Sequence, residues 1–167
     1  YTPETGGTTY VLLGTGGETF EGALWRTTLT ELQNGNIANA QQLTSARSHK
    51  GVIAPPSLAD VNVDGIVDII TVTFDGQVVA LDGMTGDEIW QFEPSGYGDD
   101  EVESYATPAI GYFNGDGVPD VFVSLSTGTW PQYDGSLQIA VSGWDGDVLF
   151  ESKVGSPGYP SPLAVDL

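Results

Sequence analysis

Residues 60–68 read D-V-N-V-D-G-I-V-D. Oxygen-bearing side chains recur on alternate residues at Asp60, Asn62 and Asp64; Gly65 follows, where the chain must turn sharply, and Asp68 closes the run. Hard cations such as Ca²⁺ take about six to eight oxygens at about 2.3–2.6 Å, and a loop with an oxygen on every other side chain can fold around one ion. The other reading is a polar turn rich in Asp and Gly.

The first six residues also fit the start of an EF-hand loop. That loop needs a Glu at its twelfth position and helices on both sides. Here the twelfth residue is Thr71, inside an apolar run over 66–74 that reads as a strand. The expectation is therefore a short calcium loop between two strands.

The same design returns at residues 112–120, Y-F-N-G-D-G-V-P-D. A shift of 52 carries Pro56 to Pro108, Asn62 to Asn114, Asp64 to Asp116, Gly65 to Gly117 and Asp68 to Asp120. A third copy begins with P-L-A-V-D at 162–166, where Asp166 takes the first position, and the sequence stops at Leu167.

Between the loops each repeat follows one plan. In the first, strands are expected over 57–59, 66–74, 77–81 and 87–92, with Asp75-Gly76 as a hairpin turn. In the second they are expected over 108–112, 118–126, 136–142 and 147–152. Residues 9–14, 22–28 and 37–43 fit the later strands of a repeat that lacks its first strand and its metal loop, and 44–50 reads as a linker. No amphipathic helix is expected. A repeat of four antiparallel strands every 50 residues or so is the pattern of a propeller blade. The chain thus reads as all-β and as a partial β-propeller: part of a blade over 8–44, blades over 53–93 and 106–153, and the start of another over 160–167. Blades bury their faces against neighbours. The expected neighbours are other blades of a longer polypeptide, or other copies of this chain in a ring or filament.

Composition narrows the function. The net charge is −19, from 23 acidic and 4 basic residues. A phosphate backbone needs a basic footprint, which excludes nucleic acid as a partner, and the same balance argues against an anionic membrane surface. No apolar run is long enough to cross a bilayer. Self-repulsion on this scale disfavours a compact state unless cations bind; a high-salt habitat is the alternative source of the acidity. There are no cysteines, hence no disulfide and no thiolate chemistry. Calcium affinities of extracellular modules are near ~10⁻⁴–10⁻³ M, so such loops fill best outside the cell, the expected location.

With A-P-P-S-L-A before it, the 60–68 loop resembles the FG-GAP or VCBS-type repeat of integrin-like propellers and many secreted bacterial proteins. Residues 78–92, V-V-A-L-D-G-M-T-G-D-E-I-W-Q-F, resemble the PQQ-like propeller repeat, whose pattern is A-x-D-x-x-T-G-x-x-x-W. The resemblance covers about 53–167 well and 8–44 weakly. It implies a calcium-stabilised propeller used in adhesion, surface assembly or ligand display. Carried over position by position, it implies a first site of Asp60, Asn62, Asp64 and Asp68 with the Ile66 carbonyl. It implies a second of Asn114, Asp116 and Asp120 with the Val118 carbonyl, and Asp166 as first ligand of a third. The second loop departs from the pattern at Tyr112, where an acidic residue is expected, so weaker binding is expected there. The alternative role for Asp68 and Asp120 is a carboxylate at a strand start that caps the N–H groups of the turn. Trp90 and Phe150 are expected to pack between blades.

The leading expectation is a non-enzymatic module for adhesion, scaffolding or assembly. A filament subunit completed by strand exchange is one alternative. A carbohydrate-binding module is another, since Trp130 and Tyr133 in the loop 130–134 could stack on glycans. A quinoprotein dehydrogenase is disfavoured because the adjacent cysteine pair of the quinoprotein alcohol dehydrogenases is missing. A serine–histidine–carboxylate triad would need His49, which reads as a solvated loop residue beside Arg47 and Lys50. The acidic stretch 98–103 reads as a solvated connection, or else as another cation site.

Overall fold

A computed structural model describes residues 1–47, 49–94, 102–155 and 160–165. The chain is all-β, folded as three antiparallel sheets, none closed into a barrel. The first sheet joins β1 (Tyr10–Gly14), β2 (Ala23–Thr28) and β3 (Gln41–Ser45) in that order. The second joins β4 (Ser57–Ala59), β5 (Asp68–Val72), β6 (Val78–Leu81) and β7 (Glu88–Phe92), also in chain order. The third has five strands. Its path is β12 (Val148–Ser152), β11 (Gln132–Val141), β10 (Asp120–Thr129) and β8 (Val102–Glu103), and β9 (Ala109–Gly111) also pairs with β10.

The second sheet is the middle layer, and the period of two along its strands shows why. All residues of β5 and β6 are buried. Ile69, Val79 and Leu81 pack with Leu24, Val52, Leu12 and Leu43, on the side of the first sheet. Ile70, Val72, Val78 and Ala80 point the other way, into a cluster with Val121, Val123, Leu125, Leu137 and Ile139 of the third. Successive side chains of a strand leave on opposite faces, so an unbroken apolar run is what a strand covered on both sides requires. Each such Val, Leu or Ile side chain contributes roughly 1.5–3 kcal/mol by leaving water.

Several expected boundaries move. The strand expected over 66–74 is confined to Asp68–Val72, because residues 60–66 wrap into a loop and Thr73–Gln77 form the hairpin turn. In the third sheet β10 and β11 run on to Thr129 and Gln132, beyond the expected ends at 126 and 136. The strand expected over 37–43 lies at Gln41–Ser45. It is displaced by a helix that was not expected, α1 (Leu29–Gln33), whose N-cap Thr28 accepts the Glu31 N–H at 3.1 Å. Residues 160–165, expected to open a further blade, form no strand, although Ser161 Oγ accepts the Thr107 N–H at 2.9 Å.

Glu103 corrects another expectation. It sits on β8 and is only 1% exposed, not part of a solvated connection. Its carboxylate takes the Lys50 ammonium at 2.8 Å, the Trp130 N–H at 3.3 Å and the Tyr133 hydroxyl. Asp99, Asp100 and Glu101 of that stretch lie outside the described residues. Trp90 packs between the second and third sheets as expected, whereas Phe150 is 46% exposed and meets only Phe113 and Phe122 among the ring contacts of the described residues.

Candidate metal centre

The loop between β4 and β5 carries the first predicted site. Its side chains turn back onto its own backbone. Asp60 accepts the N–H groups of Asp64 (3.1 Å) and Gly65 (2.9 Å), and Asn62 Oδ1 also accepts that of Asp64 at 3.0 Å. Asp64 Oδ1 accepts the Ile66 N–H at 2.7 Å. Local bonds of this kind are what short Asx side chains offer a chain that must turn. Gly65, at φ 88°, supplies the left-handed residue that closes the loop. Val63 is also left-handed, at φ 58°, an unfavourable conformation for a β-branched residue.

Asp68 stands apart from these three. It is fully buried, and both its oxygens face backbone donors. Oδ2 accepts from Val61 (3.0 Å) and Asn62 (3.4 Å), and Oδ1 from Gly83 (3.0 Å), in the turn between β6 and β7. Burial pushes its carboxyl up, opposed by these three N–H groups and reinforced by the charge of Asp64.

The second loop repeats the arrangement with one part changed. Asp120 Oδ2 accepts from Phe113 (2.7 Å) and Asn114 (3.1 Å), and Oδ1 from Gly143 (3.2 Å). Asn114 Oδ1 accepts the Asp116 N–H at 2.9 Å, and Asp116 Oδ1 accepts the Val118 N–H at 2.8 Å. Asn114 Nδ2 donates to both Asp116 (3.0 Å) and Asp120 (3.3 Å), placing a neutral donor between two carboxylates. Tyr112, in the place of Asp60, is 69% exposed.

The structure thus brings Asp60, Asn62, Asp64, Ile66 and Asp68 into one loop and Asn114, Asp116, Val118 and Asp120 into another. Asp166 lies outside the described residues. Among the described residues no three acidic or histidine side chains are gathered in a metal-holding cluster. The donor chemistry nonetheless fits a hard cation. Each carboxylate oxygen has two lone-pair sites, so an oxygen that accepts one N–H retains a position for an ion. Asp60, Asn62 and Asp64 would hold it in the first loop, and Asn114 and Asp116 in the second, with Asp68 and Asp120 at the rims.

The other candidate groups are placed plainly. His49 Nδ1 is 3.2 Å from Glu21, with both side chains exposed. Trp130 is 57% exposed, its ring 6.3 Å from that of Tyr133. The residues that the sequence reading missed are Gly83 and Gly143; their signal was the shared D-G and S-G at the start of the turn before each fourth strand. Neither a protein-family model nor a curated protein matches the chain.

Proposed function

We propose that this chain is part of a calcium-stabilised β-propeller that acts outside the cell in adhesion, scaffolding or surface assembly, without catalysis. The observation that carries the reading is the recurrence of one construction in two successive sheets. Each has an oxygen-lined loop with a left-handed glycine, Gly65 or Gly117, closed by a buried aspartate. The stacking of three sheets face to face supports the propeller, and the middle sheet has the four strands of a blade. Its partners are further sheets of the same kind, from the same polypeptide or another copy.

In this reading the bound cation supplies charge neutralisation between Asp60 and Asp64, which share the loop. The chain's own residues shape the loop beforehand through their N–H bonds. Two filled loops, each gaining the +2 of one Ca²⁺, would bring the charge of −19 to about −15, and binding to the folded loop is folding energy. The test is the melting temperature in low salt with Ca²⁺ or EGTA. A rise with Ca²⁺ in the wild type, reduced in Asp64→Ala, is expected; equal melting in all conditions would overturn the metal reading.

A glycan-binding reading is favoured by one observation, the exposed Trp130 ring beside Tyr133. Retention on a glycan array that disappears in Trp130→Ala would establish it.

A further inference from the structure

Each loop has a path to the preceding sheet through the two backbone groups of a single glycine; at the first loop Arg26 also holds the Met84 and Thr85 carbonyls beside it, at 3.2 and 2.6 Å. In the third sheet, Gly143 gives its N–H to Asp120 at 3.2 Å, and its carbonyl accepts the Trp90 indole N–H at 2.6 Å. Trp90 belongs to β7 of the second sheet. In the second sheet, Gly83 gives its N–H to Asp68 at 3.0 Å. Its carbonyl accepts Arg26 Nη1 at 3.3 Å and the Tyr1 hydroxyl at 3.0 Å, Arg26 coming from β2 of the first sheet. Two unlike donor sets thus reach the equivalent carbonyl in each sheet.

These joints have no slack. A Cβ on Gly83 would lie 1.8 Å from the Val67 carbonyl oxygen, and one on Gly143 would lie 1.8 Å from that of Pro119. Both turns are therefore pressed against the residue that precedes the aspartate. The neighbouring side is also tight: a Cβ on Gly146 would be 2.8 Å from the Trp90 ring. Trp90 cannot slide without opening the seam, and Asp120 cannot turn without releasing Gly143 or the loop amides of Phe113 and Asn114.

We infer that Asp68 and Asp120 are positioning residues that couple the state of each loop to the seam with the preceding sheet. A loop that is ordered, by a cation or otherwise, tightens the seam; a tight seam orders the loop by the same factor, because coupling of this kind is reciprocal. Only the cation-bound arm rests on the calcium reading.

The test uses Trp90→Phe, which keeps an aromatic ring and removes the indole N–H. In metal-free buffer, amide hydrogen exchange at Phe113 and Asn114 is expected to quicken roughly fivefold or more, while Asp64 and Gly65 in the other loop, bonded to Asp60, keep their rates. Unchanged rates at Phe113 and Asn114, or an equal rise at all four, would overturn the coupling. In a CaCl₂ titration the Trp90 indole N–H resonance is expected to move as the second loop fills. Calcium bound by calorimetry with that resonance still would overturn the coupling and leave the metal reading. No binding at all would overturn the metal reading, and the exchange comparison would then decide the coupling.

Discussion

Val63 holds a left-handed backbone on a branched side chain, at φ 58° and 61% exposed. Such a conformation costs an L-residue about 1–2 kcal/mol, and asparagine tolerates it better than most. Val63→Asn is expected to stabilise the metal-free protein by about 1 kcal/mol, read as a higher urea midpoint at unchanged slope. Gly83 makes the opposite case. Its place admits no methyl group, so Gly83→Ala must displace backbone and is expected to cost ~3 kcal/mol in the same assay. Gly115 has nothing within 4 Å of a built Cβ and no left-handed φ, so Gly115→Ala serves as the neutral control. At this scale the sequence was partly legible. Alternation of oxygens marked Asp60, Asn62 and Asp64, and Asp68 and Asp120 were open to two roles, of which N–H capping is the one their geometry displays. Which glycine they would cap was not readable, because Gly83 and Gly143 lie 15 and 23 residues further on.

Among the elements, β8 depends on a charge pair that joins distant segments. Glu103 meets Lys50 across 53 residues of sequence, and the ammonium also lies 5.1 Å from the centre of the Phe74 ring. Removing one member of a buried pair leaves the other uncompensated, at a cost of ~3–5 kcal/mol. Lys50→Met is expected to lose stability in that range in chemical unfolding, and Glu103→Gln in the same background to recover part of it. The pairing explains why the acidic stretch was misread: charge density along the chain signals solvent, and only a partner from a remote segment reverses that. The strands were more legible. Apolar runs bounded by Asp-Gly turns placed β5 and β6 to within two residues at each boundary, because a strand buried on both faces has a continuous apolar signature; β7, with Glu88 and Gln91 exposed, was placed as closely by the turn before it. Helix α1 was missed although Thr28 and Glu31 have the spacing of a capping box. Five residues are too few to show a helical period.

For the molecule as a whole, alkaline pH is a lever that acts through partly buried phenols. Tyr105 is pushed up to about 12 by burial and by its 2.6 Å hydrogen bond to Glu18, and Tyr133 is pushed up as well by burial and Glu103. A phenol held above its ordinary value of 10.0 binds its proton more tightly in the folded state than in the unfolded one. The stability this contributes is complete below about 10 and is lost as pH rises through about 12. Phenolate absorbance and circular dichroism recorded together should therefore show these two rings ionising as the fold is lost, with the slope reduced in Tyr105→Phe. The scarcity of basic residues has a different consequence, for digestion. A trypsin-type protease has four candidate residues in the sequence, Arg26, Arg47, Lys50 and Lys153. Arg26 is 6% exposed and the Lys50 side chain 16%, whereas the Arg47 side chain is half exposed, in surface ion pairs with Asp75 and Glu93, and Lys153 lies at the surface. The native chain should be nicked after Arg47 and Lys153 and spared after the other two, so that a brief digest leaves a resistant core, containing the second and third sheets, that begins just past the first.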